Sequence, residues 1–158
     1  MSATYASGTS LTVALGDALA AGVAGAVLSG APSTAVTVWR GESVLEGVLA
    51  AGSILLPGER RTAPLVAAAV PVHLALSLGW AAVLSVAVPR GREVAGATLG
   101  ALAIAALDLG LIARAFPRIR ALPQGRQWAD HVAYGLAVGA VLRSRRRAGD
   151  RRSAQRTS

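Results

Sequence analysis

Four apolar stretches stand out along the chain, and most of its charge lies in the segments between them and after the last one. Leu11 to Ser29 reads LTVALGDALAAGVAGAVLS, 19 residues broken only by Asp17. Thr62 to Pro89 is 28 residues without a formal charge. Val94 to Ala113 is interrupted only by Asp108, and the last stretch runs from Gln124 or Arg126 to Leu142. A helix rises ~1.5 Å per residue, so about 20 residues cover a hydrocarbon core. The pattern predicts transmembrane helices at 11–29, 64–89, 94–113 and 125–142. A shorter apolar helix is predicted at 43–56, where Ser43 and Glu46 form a Ser-x-x-Glu capping box and Pro57-Gly58 ends the run. Its length of about 21 Å is short for a crossing, so a core-packed, interfacial or re-entrant helix fits it as well.

The breaks carry their own signals. Gly30-Ala31-Pro32 ends the first helix, because proline cannot donate its N–H and restricts the residue before it. Arg40-Gly41-Glu42 and Pro89-Arg90-Gly91-Arg92-Glu93 read as turns. Pro71 is expected to bend the second span. Arg114 to Gly125 reads as a basic connector along the interface. The first run is not read as a cleaved leader, since no basic residue precedes it and Asp17 interrupts it.

Composition narrows the class. Apolar residues make up 53% of the 158 residues and charged ones 15%. An ordinary soluble domain carries roughly 25% charge, so this chain lacks a polar coat. The same figures exclude disorder for the chain as a whole. The absence of cysteine excludes disulfides, thiol catalysis and cysteine-based metal centres. No Walker A, GxSxG or dinucleotide motif occurs; no catalytic residue, cofactor or metal is expected.

The basic balance belongs to one segment. All 16 basic residues are arginine. Residues 143–158 hold seven of them and one acid, for a charge of +6, whereas the preceding 142 residues carry +2. Behind an apolar span, Arg143, Arg145, Arg146 and Arg147 read as a positive-inside signal and as contacts for anionic lipid headgroups, not nucleic acid. The tail 143–158 is expected to be disordered, and 1–10 is a polar N-terminal segment. With the C-terminus inside, four crossings place nine arginines inside and seven outside; five crossings give ten and six.

Small residues recur at helix spacing. Gly96 and Gly100 form a GxxxG pair, as do Gly135 and Gly139, and Ala18, Gly22 and Ala26 repeat the step. Lipid is as apolar as leucine, so close approach of small faces has to supply helix association. The faces suit contacts within the bundle, or contacts with a second copy or another membrane protein.

Five ionisable residues fall in or near the apolar runs: Asp17, His73, Asp108, Asp130 and His131. A charge at the centre of a span costs at least ~2.5–3.5 kcal/mol on insertion scales, so each is a site candidate. Each also has a structural explanation. Asp17 can cap or solvate a helix end, and His73 can sit neutral with one hydrogen bond. Asp108 can pair with Arg114 or another arginine, or protonate. Asp130-His131 can lie at headgroup level. Antiparallel packing of the last three spans puts His73, Asp108 and Asp130-His131 in one leaflet. Asp17 joins them only if residues 32–60 cross the membrane. A bis-histidine haem between His73 and His131 would need a roomier pocket than one Phe and two Tyr suggest.

Gly30-Ala31-Pro32-Ser33-Thr34, Ala50-Ala51-Gly52, Ala106-Leu107-Asp108-Leu109-Gly110 and Asp130-His131-Val132-Ala133-Tyr134-Gly135 resemble elements of uncharacterised small polytopic membrane proteins of high-GC bacteria. The resemblance covers roughly residues 11–147. It implies a compact helical membrane protein and no known activity.

The sequence thus predicts an all-α polytopic transmembrane helix bundle, with four spans plus a short membrane-associated helix. The expected location is the bacterial inner membrane, with the C-terminus cytoplasmic. The expected role is that of a non-enzymatic packing or accessory protein. The alternative is a small proton- or cation-coupled transporter using the intramembrane Asp and His residues.

Overall fold

The computed structural model describes the backbone of residues 3–157 and the side chains of residues 12 and 14–156. The chain is all-helical, 85% helix, with no strand among the described residues. Its elements are α1 (Ala3–Leu28), α2 (Ala31–Trp39), α3 (Leu45–Leu55), α4 (Thr62–Ala87), α5 (Glu93–Gly110), a 3₁₀ turn (Ile112–Ala115), α6 (Pro117–Ala121) and α7 (Gln124–Thr157).

Three segments, Ala14–Trp39, Thr62–Ala87 and Glu93–Ala115, are long and apolar enough to cross a membrane. The sequence pattern counts four. The fourth, α7, is long, but Arg126, Gln127, Asp130 and His131 dilute its first half and the arginines follow. The first apolar segment also runs further than 29. Ser29 and Gly30 interrupt it, and α2 restarts with Pro32 in its first turn, where a missing N–H costs nothing. The short helix begins at Leu45, not Ser43. Ser43 Oγ accepts from Leu45 N–H at 3.2 Å, so the expected capping box does not form.

Pairwise contacts fix the topology. Gly22 of α1 lies against Leu78 and Ala81 of α4, while His73 reaches back to Ala26. Gly96 and Gly100 of α5 face Val88 and Leu84, and Gly135 and Gly139 of α7 face residues 93–101. Each consecutive pair among α1, α4, α5 and α7 is therefore antiparallel. Asp17, midway along α1, meets Arg145 at 2.6 Å, so that level of α1 and the part of α7 beyond Leu142 share one end of the bundle with the α4–α5 turn. Residues 29–61 leave and return at the other end and make no net traverse. At the α4–α5 turn Gly91 adopts φ +83°, a conformation that favours glycine.

The seam between the helices is built from small residues. Ala21, Ala81, Ala97, Ala101 and Ala105 are fully buried, together with the larger Leu65, Val138 and Leu142. Large apolar side chains point outward instead: Val86 is 85% exposed, Val27 73% and Leu99 68%. That inversion of a soluble core suits a solvent of lipid tails, in which close packing rather than hydrophobic burial holds helices together.

The tail departs from expectation. Residues 143–157 continue α7 as helix rather than lying disordered. Arginine, alanine and glutamine are good helix formers, and Gly149 is the one glycine in the stretch. The side chains of the polar segment 1–10 lie outside the described residues.

Candidate intramembrane polar site

At the end of the bundle opposite the Asp17–Arg145 pair, α4, α5 and α7 line a half-open cavity of about 280 Å³, flanked by residues of α3 and α6. Its polar lining includes His73, Asp108, Gln127, Asp130 and His131, and its apolar lining includes Trp80, Ile104 and Phe116. Each polar group is carried in by helical spacing. His131 and Tyr134 are one turn apart on α7, as are His73 and Ser77 on α4, so each pair shares a face.

His131 is the centre of the arrangement. Its Nδ1 lies 2.8 Å from the Gln127 carbonyl oxygen, and a carbonyl only accepts, so Nδ1 carries a proton. Its Nε2 stands 3.5 Å from Asp108 Oδ2, at the long limit of a direct hydrogen bond. A neutral ring with a protonated Nδ1 would present a lone pair there to a carboxylate oxygen. The contact is attractive only when a proton sits between Nε2 and Oδ2, on the ring or on the acid. Both side chains are about three-quarters shielded from solvent.

The other groups are anchored around it. His73 Nε2 lies 2.8 Å from the Ala26 carbonyl oxygen and donates to it, which leaves Nδ1 without that proton in the neutral ring. Asp130 Oδ1 accepts from the Ser33 N–H at 2.9 Å. This bond ties the first turn of α2 to α7, and Arg126 adds hydrogen bonds to Thr37 and Glu42 one turn further along. The Tyr134 hydroxyl donates to the Ser77 carbonyl at 2.5 Å. Among the described residues no buried side-chain nitrogen or oxygen lacks a partner. Nor is any group of three or more His, Asp or Glu arranged to hold a metal ion among them.

Outside the apolar helices, Glu42 is held below its usual carboxylate range, first by the hydrogen bonds from Arg126 and then by its charge and that of Arg40. Glu59 is held at about 2 by Arg61 and by the backbone N–H groups of Arg60 and Arg61.

Of the five ionisable candidates, four meet at the cavity: His73, Asp108, Asp130 and His131. Asp17 does not; it bonds Arg145 at the far end. Asp108 is served by His131 and not by Arg114. The packing glycines Gly22, Gly96, Gly100, Gly135 and Gly139 all face neighbouring helices of the same chain. Arg146, expected at the lipid headgroups, turns into the bundle. Its guanidinium is largely buried, donating to Glu93, to the Val88 carbonyl at 3.0 Å and to the Ser85 carbonyl at 2.7 Å. Arg145 is likewise engaged, with Asp17. Sequence reasoning missed Ser77, Trp80, Gln127 and Tyr134. All four sit three, four or seven residues from a histidine, so reading along the helical face of each histidine finds them.

No protein-family model matches the chain, and neither does any curated protein or solved structure.

Proposed function

We propose that the chain is an integral protein of a bacterial inner membrane, with α1, α4, α5 and the first half of α7 as four spans and the C-terminus in the cytoplasm. Of the two roles open to it, the geometry favours a small proton- or cation-coupled carrier. The observation that supports this reading is the convergence of His73, Asp108, Asp130 and His131, from three helices, on one cavity. Intramembrane ionisable groups are costly, and four of them gathered around a cavity fit a relay better than scattered structural pairs. The Asp108–His131 pair holds the proton. His73 and Asp130 offer the next positions for it or for a cation. Trp80 and Phe116 keep the surroundings apolar, so charge in the cavity stays confined.

Protein-loaded liposomes with an internal pH dye test this. Under an imposed potential, the native chain is expected to admit protons faster than protein-free liposomes. Asp108→Asn is expected to lower that flux at least tenfold while the thermal midpoint stays near that of the native chain. Flux equal to that of empty liposomes refutes an uncoupled proton pathway through the cavity. A collapse of folding in Asp108→Asn instead supports a structural role for the pair. The packing or accessory role is the second reading, supported by the internal use of all five glycines. The resemblance to small membrane proteins of high-GC bacteria is compatible with either.

A further inference from the structure

The opposite end of the bundle carries a second concavity, of about 470 Å³, walled by the α4–α5 turn and by α7 beyond Leu142. Five guanidinium groups line it: Arg90 and Arg92 from the turn, and Arg143, Arg146 and Arg147 from α7. Two carboxylates, Glu93 and Asp150, share the wall. Arg146 is already committed to Glu93 and to two carbonyl groups at the end of α4. Among the described residues, Arg90, Arg92, Arg143 and Arg147 make no ion pair and no side-chain hydrogen bond. The concavity therefore holds an excess of three positive charges.

The placement is built, not diffuse. Gly91, at φ +83°, reverses the chain between Arg90 and Arg92, and its N–H is fixed by Glu93 Oε1 at 3.1 Å. Arg143 and Arg147 are one turn apart on α7 and share a face. Arg146 clamps α7 to the α4–α5 turn, which holds the two solvent-exposed arginine pairs on the walls of one concavity. Guanidinium forks match the oxygens of a phosphate group, and several of them bind it more firmly than lone ammonium groups do.

We propose that this concavity is a binding site for a phosphate group, held by Arg90, Arg92, Arg143 and Arg147. Its position favours the headgroup of an anionic phospholipid as the carrier of that phosphate. The apolar part of α4 ends at Ala87 and α5 starts at Glu93, which puts the turn at headgroup depth. The lipid source rests on the membrane reading above; the phosphate chemistry does not.

Thermal unfolding of the full chain in a nonionic detergent tests it, with phosphatidylglycerol, phosphatidylcholine, inorganic phosphate or chloride added at matched ionic strength. Phosphatidylglycerol is expected to raise the midpoint and phosphatidylcholine to leave it unchanged. Arg90→Gln/Arg92→Gln and Arg143→Gln/Arg147→Gln are each expected to weaken the apparent affinity about 25-fold, at about fivefold per arginine. Arg151→Gln/Arg152→Gln, which removes the same charge outside the concavity, is expected to change it less than about twofold. Stabilisation by inorganic phosphate with the same arginine dependence, and not by the lipid, keeps the site and assigns it a soluble ligand. Two results overturn the proposal: no stabilisation by either phosphate source, or equal losses from the concavity pairs and from Arg151→Gln/Arg152→Gln.

Discussion

Replacing Gly135 by alanine tests how closely α5 and α7 approach. A Cβ built at Gly135 would stand 2.6 Å from the Thr98 Cα and 2.8 Å from both the Ala97 carbonyl oxygen and the Ala101 Cβ. Unstrained carbon contacts lie at ~3.5–4.0 Å, so the methyl group overlaps its neighbours by about 1 Å. Two of those neighbours are backbone atoms, which cannot swing aside as a side chain can. The helices have to separate, and overpacking of this kind costs about 1–3 kcal/mol. For a chain of this size that lowers the thermal midpoint by about 2–12 °C. Gly139 lies one turn further along the same seam, 2.6 Å from the Val94 Cα by the same construction, and is expected to behave alike. Gly149 is the control, because it is helical and a Cβ there meets nothing within 4 Å. Gly149→Ala is expected to raise the midpoint slightly, by up to ~1 kcal/mol of helix propensity. The assay is the fraction of monodisperse protein surviving a heating series in nonionic detergent. A Gly135→Ala midpoint at or above that of the native chain refutes the close α5–α7 approach. Loss of an oligomer with an unchanged midpoint would place the glycine face between copies instead.

Three further expectations follow from the ion pairs. Arg146→Ala leaves the buried Glu93 carboxylate with backbone N–H donors but no cation, removes a donor from two carbonyl groups, and is expected to cost about 3–5 kcal/mol, whereas Glu93→Gln combined with Arg146→Met recovers most of it; a double-mutant cycle of thermal midpoints reads the difference. Asp17→Asn breaks a pair whose arginine is half exposed, so it is expected to cost less than about 1 kcal/mol and to leave proton flux unchanged; a loss of flux as large as that of Asp108→Asn would return Asp17 to the site. Glu42 is more acidic when folded than when unfolded, so its pairing with Arg126 stabilises the fold above the ordinary carboxylate value and is lost as pH falls from there through the lower folded value; the midpoint of the native chain is expected to drop over that window more than that of Glu42→Gln, and parallel profiles would contradict it.

Much of the architecture was legible because apolar runs and their breaks are strong local signals. Thr62–Ala87 and Glu93–Ala115 fall within two residues of the expected spans. The Pro89–Glu93 turn and the small-residue seam were readable for the same reason. Depth arithmetic at ~1.5 Å per residue placed His73, Asp108 and His131 at one level, and they meet there. What the pattern did not reveal depends on long-range partners. Arg146 reads as one more tail arginine until Glu93, 53 residues away in sequence, is seen beside it. The side on which Asp17 falls turned on whether residues 32–60 cross, and Arg145 decides it. The helical tail was missed because a charge-rich segment without an apolar face gives no periodicity, although its residues favour helix.

The central claim is that the start of α1 and the end of α7 lie on one side of a membrane, with the polar cavity near the other side. The native chain has no cysteine, so single cysteines at Ser2, Gly58 and Ser158 report position directly. Gly58 lies in the α3–α4 loop at the cavity end, with nothing within 4 Å of a Cβ. In intact spheroplasts, a membrane-impermeant maleimide is expected to label Gly58→Cys and to spare Ser2→Cys and Ser158→Cys until the cells are lysed. Labelling of Ser2→Cys with Ser158→Cys protected would mean an odd number of crossings and would contradict the antiparallel arrangement on which the site depends.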